Sequence, residues 1–121
     1  MSFIDMAMED AVEKEILPEG EFELVIENAE MREDGYNINV RLSVDGQPNA
    51  KAVFHNIALI KPDDEDEKKN NKLLFARAFA TKFDLGLKGF DLAGMAGARG
   101  RVKIVQDEYE GIVSNKIKLS V

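Results

Sequence analysis

The chain has 121 residues, of which 45% are hydrophobic and 32% are charged, and its formal net charge is −7. This length suits one domain with a real core, and the apolar content exceeds that of disordered chains. The absence of cysteine excludes disulfides and thiolate metal sites, and the single histidine, His55, cannot form a metal cluster alone.

No apolar run approaches the roughly 20 residues of a membrane span, and the N-terminus lacks the layout of a signal peptide. The charge is unevenly distributed. Residues 1–34 hold twelve acidic and two basic side chains, whereas residues 35–121 hold 11 acidic and 14 basic ones. An acidic protein can therefore present a basic surface. We expect a cytoplasmic protein with no membrane partner, and a polyanion partner stays open.

The first 17 residues form an acidic segment in which apolar residues recur about every four positions. This spacing predicts either a short amphipathic helix or an extended arm, because an isolated helix of this length is marginal. Pro18 and Gly20 end the segment. We therefore divide the chain into an arm, residues 1–17, and a domain, residues 18–121.

Alternating patterns after Gly20 predict three strands joined by two tight turns. In the first strand, apolar residues at 22, 24 and 26 alternate with glutamates. The pairs Asp34-Gly35 and Asp45-Gly46 are hairpin-turn signals. Every second residue from 36 to 44 is apolar in the second strand, and residues 50–59 form the third. These strands are expected to pair as an antiparallel meander.

The pattern then becomes helical and finally alternates again. Phe75, Phe79 and Phe83 recur every four residues, which predicts a helix of roughly five turns with one apolar stripe. Basic and apolar residues alternate in 101–105 and in 116–121, which predicts two more strands. The sequence therefore predicts a mainly β fold with one central helix. We expect the five-stranded Greek-key barrel of the oligonucleotide/oligosaccharide-binding (OB) fold, with the helix between strands three and four.

In the last two strands, this alternation turns the apolar side chains inward and the basic ones outward. We therefore predict one basic surface on the outside of the barrel, extended by the neighbouring strands. Single-stranded nucleic acid binds to such surfaces; an ordinary solvated sheet face is the alternative. The predicted members are Arg41, Lys51, His55, Arg99, Arg101, Lys103, Lys116 and Lys118.

The two tyrosines, Tyr36 and Tyr109, lie in or beside the loops joining strands one and two and strands four and five. These loops flank the binding face of an OB barrel, so we predict that both rings stack on bases. Edge packing beside the turns is the alternative. Most of the seven phenylalanines are assigned to the core or to the helix stripe.

No motif indicates catalysis. Gly94, Gly97 and Gly100 are spaced by three, but the Lys-Ser/Thr of a phosphate-binding loop is missing. His55 has no nucleophile in a hydrolase-like context. We therefore predict a binding protein rather than an enzyme, with no cofactor and no metal.

Three stretches resemble a family of small phage proteins, formerly a domain of unknown function, whose studied members are OB-fold single-stranded DNA-binding proteins. The stretches are LPEGEFELVIENAE (17–30), FDLAGMAGARGRVKIV (90–105) and EYEGIVSNKIK (108–118). The resemblance implies the same fold and activity. It places four residues on the family's closing hairpin, namely Tyr109, Gly111, Asn115 and Lys116. Asn115 is thereby included among the predicted DNA-binding residues, although this chain has no tryptophan.

These observations predict a protein that binds single-stranded DNA without sequence preference in phage-like replication or recombination. Proteins of those processes are further expected partners, and self-association stays open. The alternative is an OB-fold protein-interaction module, or a DNA-mimic inhibitor, that uses its acidic N-terminal segment.

Overall fold

The computed structural model describes residues 2–121, so Met1, the first residue of the predicted arm, lies outside the described residues. Two helices and five strands follow a single 3-10 turn at Met8–Asp10. They are β1 (Gly20–Met31), β2 (Asn37–Val44), β3 (Val53–Ala58), α1 (Asp66–Lys82), α2 (Leu92–Met95), β4 (Arg99–Tyr109) and β5 (Ile112–Lys118). The fold is mainly β, and α1 is its one long helix.

All five strands pair antiparallel in one sheet of order β3-β2-β1-β4-β5. The 12-residue strand β1 pairs with β4 through its first half and with β2 through its second. A register shift between Ile26 and Asn28 marks a β-bulge, which bends β1 between its two partners. Within residues 2–121 no strand pairing joins β3 to β5, although their Cα atoms approach within 8 Å. The sheet is therefore open along this seam.

Turns with positive-φ residues connect the three pairs of consecutive strands. Gly35 and Gly46 have φ angles of 73° and 75°, which confirms the two predicted Asp-Gly turns. Glu110 and Gly111 also have positive φ and form a two-residue loop between β4 and β5. The sequence alternation predicts strands only over 101–105 and 116–121, with a longer loop between them. The strands instead continue to the turn. The sequence pattern missed these residues because the ribbon projects beyond the core, so none of residues 106–114 is buried and no alternation of apolar residues marks them.

The core lies between one face of the sheet and the C-terminal part of α1. Phe79 and Phe83 are buried there, with ring centroids 4.7 Å apart. The predicted apolar stripe is wrong at Phe75, which is 52% exposed, because α1 buries only its last turns. The strand residues of the core are Leu24, Ile26, Ile38, Val40, Leu42, Val44, Val53, Ile57, Val102 and Ile104.

Asp64 anchors the chain just before α1. Its carboxylate accepts a hydrogen bond from the Lys61 backbone N–H at 2.8 Å and lies 2.6 Å from Lys72 Nζ. These contacts, the backbone hydrogen bond first, lower the pKa of Asp64 to about 2. Asp64 therefore neutralises Lys72, a largely buried lysine of α1 that also donates to the Leu59 carbonyl at 2.9 Å.

The N-terminal arm is extended and only its last residues contact the domain. Glu15 exchanges backbone hydrogen bonds with Asn49 and Lys51, at 2.7 and 2.9 Å, and Leu17 is buried in the core. Residues 2–12 are exposed and contain only the 3-10 turn. Of the two predicted alternatives, the structure has the extended arm and not the amphipathic helix, whose apolar face would have no partner surface within this chain.

Candidate nucleic-acid interface

A groove of about 1080 Å³ lies between the outward faces of β2 and β3 and the first residues of β5. We call it the strand groove. Arg41 and Phe54 are directly opposite each other in the β2–β3 register, and the Arg41 guanidinium carbon lies 5.7 Å from the Phe54 ring centroid. Lys51 and Ile112 line the same groove. The structure thus brings Arg41 and Lys51 together beside an aromatic ring.

Phe54 is the functional candidate that sequence reasoning missed. Its side chain is 46% exposed, whereas the sequence predicts no role for it apart from the packing assigned to most of the phenylalanines. Val53 and Ile57 are buried, so the side chain of Phe54 has the opposite direction and faces outward. The spacing of Val53 and Ile57 indicates which face of β3 is buried, and it places Phe54 on the other face. The pattern was hard to read because most residues of this short strand are apolar.

His55 is not part of the basic surface, in contrast to the prediction. It lies on the inward face of β3 and stacks on Phe79, with the ring centroids 4.8 Å apart and an interplanar angle of 5°. Burial, and then the positive charge of Lys116, lowers the pKa of His55 from 6.5 to about 4. His55 is therefore a neutral packing residue near pH 7.

This environment predicts that the protein loses stability in mild acid. The unfolded chain binds a proton at His55 near pH 6.5, whereas the folded chain does so only near pH 4. The free energy of unfolding should therefore decrease as the pH falls from about 6.5 to about 4, by on the order of 3 kcal/mol. Urea denaturation at several pH values measures the change. In His55→Phe, which keeps a ring against Phe79, this part of the decrease should vanish; an identical pH profile would contradict the assignment.

Asn115 is a structural residue and not a free DNA contact, in contrast to the prediction. Its Oδ1 accepts a hydrogen bond from the Leu17 backbone N–H at 2.8 Å, and its Nδ2 donates to the Leu17 carbonyl at 3.0 Å. The side chain is buried. Asn115 therefore fastens the end of the arm to β5, at one wall of the strand groove.

Asn115→Ala should lower the free energy of unfolding by about 2 kcal/mol, since it leaves the buried Leu17 N–H without an acceptor. Urea denaturation tests this prediction. Asn71→Ala is the matched control, because Asn71 is exposed on α1 and alanine favours a helix. An equal effect of the two substitutions would show that the Asn115 amide does not hold the arm.

Two predicted basic residues of β4 lie beside acids of β1 and of the turn after β2. Arg99 Nη1 lies 3.6 Å from Glu23 and 3.3 Å from Asp45, and Arg101 Nε lies 3.5 Å from Glu21. Both arginines face outward and are more than half exposed, as predicted, but the carboxylates beside them give the surface mixed charge at these positions. The cause is the pairing of β4 with β1, whose outward positions at 21 and 23 are glutamates.

The other lysines of the last two strands form a second basic region. Lys103 and Lys118 are directly opposite each other in the β4–β5 register. Together with Arg77 and Lys82 of α1 they line a hollow of about 590 Å³, which we call the basic hollow. None of these four side chains is in an ion pair with any residue from 2 to 121. Sequence reasoning missed Arg77 and Lys82, because it gave the helix only a packing role.

Strand β5 runs from the strand groove to the basic hollow. Ser114 lines the groove, Lys118 lines the hollow, and Lys116 lies between them. The register places these three residues on one face of the sheet, opposite residues 107, 105 and 103. Ser114 and Lys118 are thus about 13 Å apart along the strand. The predicted basic surface becomes two regions joined by one strand.

The tyrosines occupy different surroundings, and neither lines the strand groove. Tyr36 has Lys61 Nζ 5.8 Å from its ring centroid, and its backbone oxygen accepts a hydrogen bond from Leu59. Tyr109 is 74% exposed and lies directly opposite Ile112, a residue of the groove wall. Tyr109 is therefore an exposed ring on the strand position that faces a groove residue, whereas Tyr36 packs beside its turn.

Neither a family model nor a curated protein matches this chain. In the part of the chain that the structure describes, no three histidine, aspartate or glutamate side chains are arranged to hold a metal ion. No helix within residues 2–121 is long and apolar enough to cross a membrane.

Proposed function

We propose that the protein binds single-stranded DNA without sequence preference, as an OB-fold member of the phage family that its sequence resembles, and that it is not an enzyme. The strand order supports the fold. β1 lies between β2 and β4, and the edge strands β3 and β5 approach each other. Closure of that seam would give the proposed five-stranded barrel, in which every strand has two neighbours.

The observation that carries the proposal is the exposed ring of Phe54 in a groove that β5 connects to the basic hollow. A base would stack on Phe54 beside Arg41, and the DNA backbone would follow Lys116 to Lys118 and Lys103. Aromatic stacking combined with a basic track is the usual mode of sequence-independent binding to single strands.

The basic hollow also favours an anionic ligand, since four basic side chains and one acidic one, Glu21, line it. Lys103 and Lys118 face each other across the β4–β5 ladder, and like charges in this position are destabilising. The strand groove has balanced charge, with Lys14, Arg41 and Lys51 against Glu13, Glu27 and Asp45. The acid nearest to the groove's arginine is Glu27, whose oxygen is 2.8 Å from Arg41 Nε. Both side chains are about half exposed, so this ion pair contributes only about 0–1 kcal/mol and a phosphate can replace Glu27.

The test is a titration of labelled poly-dT and of duplex DNA by fluorescence anisotropy over a range of salt concentrations. We expect preference for the single strand. If about four phosphates are neutralised, the logarithm of the association constant should decrease with the logarithm of salt with a slope near −3. The variant Lys116→Ala/Lys118→Ala should reduce the slope by about 1.4. Lys68→Ala/Lys88→Ala removes the same charge elsewhere and should leave the slope unchanged. Preference for duplex DNA, or a slope near zero, would refute the proposal.

The rival function, a protein-interaction module or DNA mimic, would depend on the acidic arm. Its supporting observation is the exposure of large apolar side chains at residues 3–12. Deletion of residues 2–12 separates the two functions and keeps Leu17 and the residues that line the strand groove. If our proposal holds, the deletion variant should bind DNA as well as or better than the intact protein. If the rival is correct, the intact protein should not bind DNA.

A further inference from the structure

The N-terminal arm exposes an unusual density of large apolar side chains. Phe3 is 91% exposed, and four more of the eleven residues from 2 to 12 are exposed apolar residues, namely Ile4, Met6, Met8 and Val12. Residues 2–12 of the arm also contain Asp5, Glu9 and Asp10 and no lysine or arginine. An exposed apolar segment of this kind is typical of a surface that binds a partner.

A second, smaller cleft of about 240 Å³ lies between α1, the end of β3 and the loop 86–90. We call it the helix cleft. Arg77 lines both this cleft and the basic hollow. Most of its lining is apolar, and two of these side chains, Leu73 and Leu87, are largely exposed. The other large apolar residues of the lining are Leu59, Ile60 and Phe90.

The charges of the helix cleft are all of one sign. Its charged lining residues are Lys72, Arg77 and Lys88, and no acidic side chain lines it. Asp64 neutralises Lys72, whereas Arg77 and Lys88 form no ion pair with any other residue in the range 2–121. The cleft therefore suits a ligand that combines apolar side chains with acidic ones.

We propose that the helix cleft binds the N-terminal arm, residues 2–12, of a second copy of this chain. The arm supplies apolar side chains for Leu73 and Leu87 and carboxylates for Arg77 and Lys88. In the isolated chain the same arm residues are exposed, so they are available to a neighbour. Because arm and cleft are different surfaces, the contact is heterologous and can repeat from one copy to the next. This inference does not depend on DNA binding.

The test is sedimentation velocity of the full chain, without DNA, over a range of protein concentrations. A short arm buries less area than a standard interface of about 1,600 Å², so we expect reversible association at high micromolar concentration. Phe3→Asp in the arm and Leu87→Glu in the cleft should each weaken association at least about tenfold. Met31→Glu is the matched control, because Met31 is an exposed apolar residue outside the arm, the helix cleft and the strand groove. This variant should associate as the native chain does.

A mixture of the two variants distinguishes this contact from any other. Phe3→Asp keeps an intact cleft and Leu87→Glu keeps an intact arm, so an equimolar mixture should form dimers and nothing larger. Circular dichroism verifies that both variants are folded. A native chain that stays monomeric at every concentration would overturn the proposal, and so would a Leu87→Glu variant that associates normally or a mixture that stays monomeric.

Discussion

Replacing Gly100 with alanine is expected to lower the free energy of unfolding by about 3 kcal/mol, because the site has no room for a methyl group. A Cβ atom at Gly100 would lie 2.9 Å from Cδ1 of Phe83 and closer still to the carbonyl oxygen of Lys82. Lys82 is the last residue of α1, and Phe83 is buried in the core. Neither can move without separating the helix end from β4.

Urea denaturation measures this effect, and Gly89→Ala is the matched control. A Cβ atom at Gly89 meets no atom within 4 Å. The control should therefore change stability by no more than about 0.5 kcal/mol. If Gly100→Ala were equally harmless, the close approach of α1 to β4 would not exist in solution, and the packing of Phe83 would have to be different.

Local patterns in the sequence predict most of the strands, because each strand of the meander has one buried and one exposed face. The buried residues Ile38, Val40 and Leu42 lie at alternate positions of β2, as the pattern requires. The β4–β5 ribbon was harder to delimit, because beyond Asn115 toward the turn it has no buried face. Local patterns predict strands only where packing imposes the pattern.

The sequence was less informative about the helix and the arm. Periodicity shows that Phe75, Phe79 and Phe83 share a helix face, but it does not show how much of that face the sheet covers. In the structure Phe75 remains exposed, since α1 reaches the core only near its C-terminus. The same limitation applies to the arm. Its apolar residues recur about every four positions, but no surface of this chain packs against them.

The candidate site depends on contacts between distant parts of the chain, and these explain which predictions failed. The alternation in β4 correctly turns Arg101 and Lys103 outward. Only the pairing of β4 with β1 shows that Glu21 lies within reach of Arg101, because these residues are 80 positions apart in the sequence. In the same way, the sequence allows Asn115 to contact DNA, and only the fold shows that its side-chain amide is already hydrogen-bonded to the backbone of Leu17.

Phe54→Ala is expected to weaken binding of poly-dT by about 1–3 kcal/mol, because it removes the one aromatic ring that lines the strand groove. That free energy corresponds to a decrease in affinity of about 5-fold to 150-fold. Anisotropy titrations at one fixed salt concentration provide the measurement. The salt slope should stay the same, since no phosphate contact is lost.

Phe75→Ala is the matched control for this prediction, because Phe75 is exposed to a similar extent but lies on α1, outside the strand groove. It should leave the affinity unchanged. The chain has no tryptophan, so Phe54→Trp also introduces a single fluorophore at the proposed stacking position. Its fluorescence should be quenched when poly-dT is added. Normal affinity of Phe54→Ala, or a tryptophan that does not respond to saturating DNA, would exclude the strand groove as the place where bases stack.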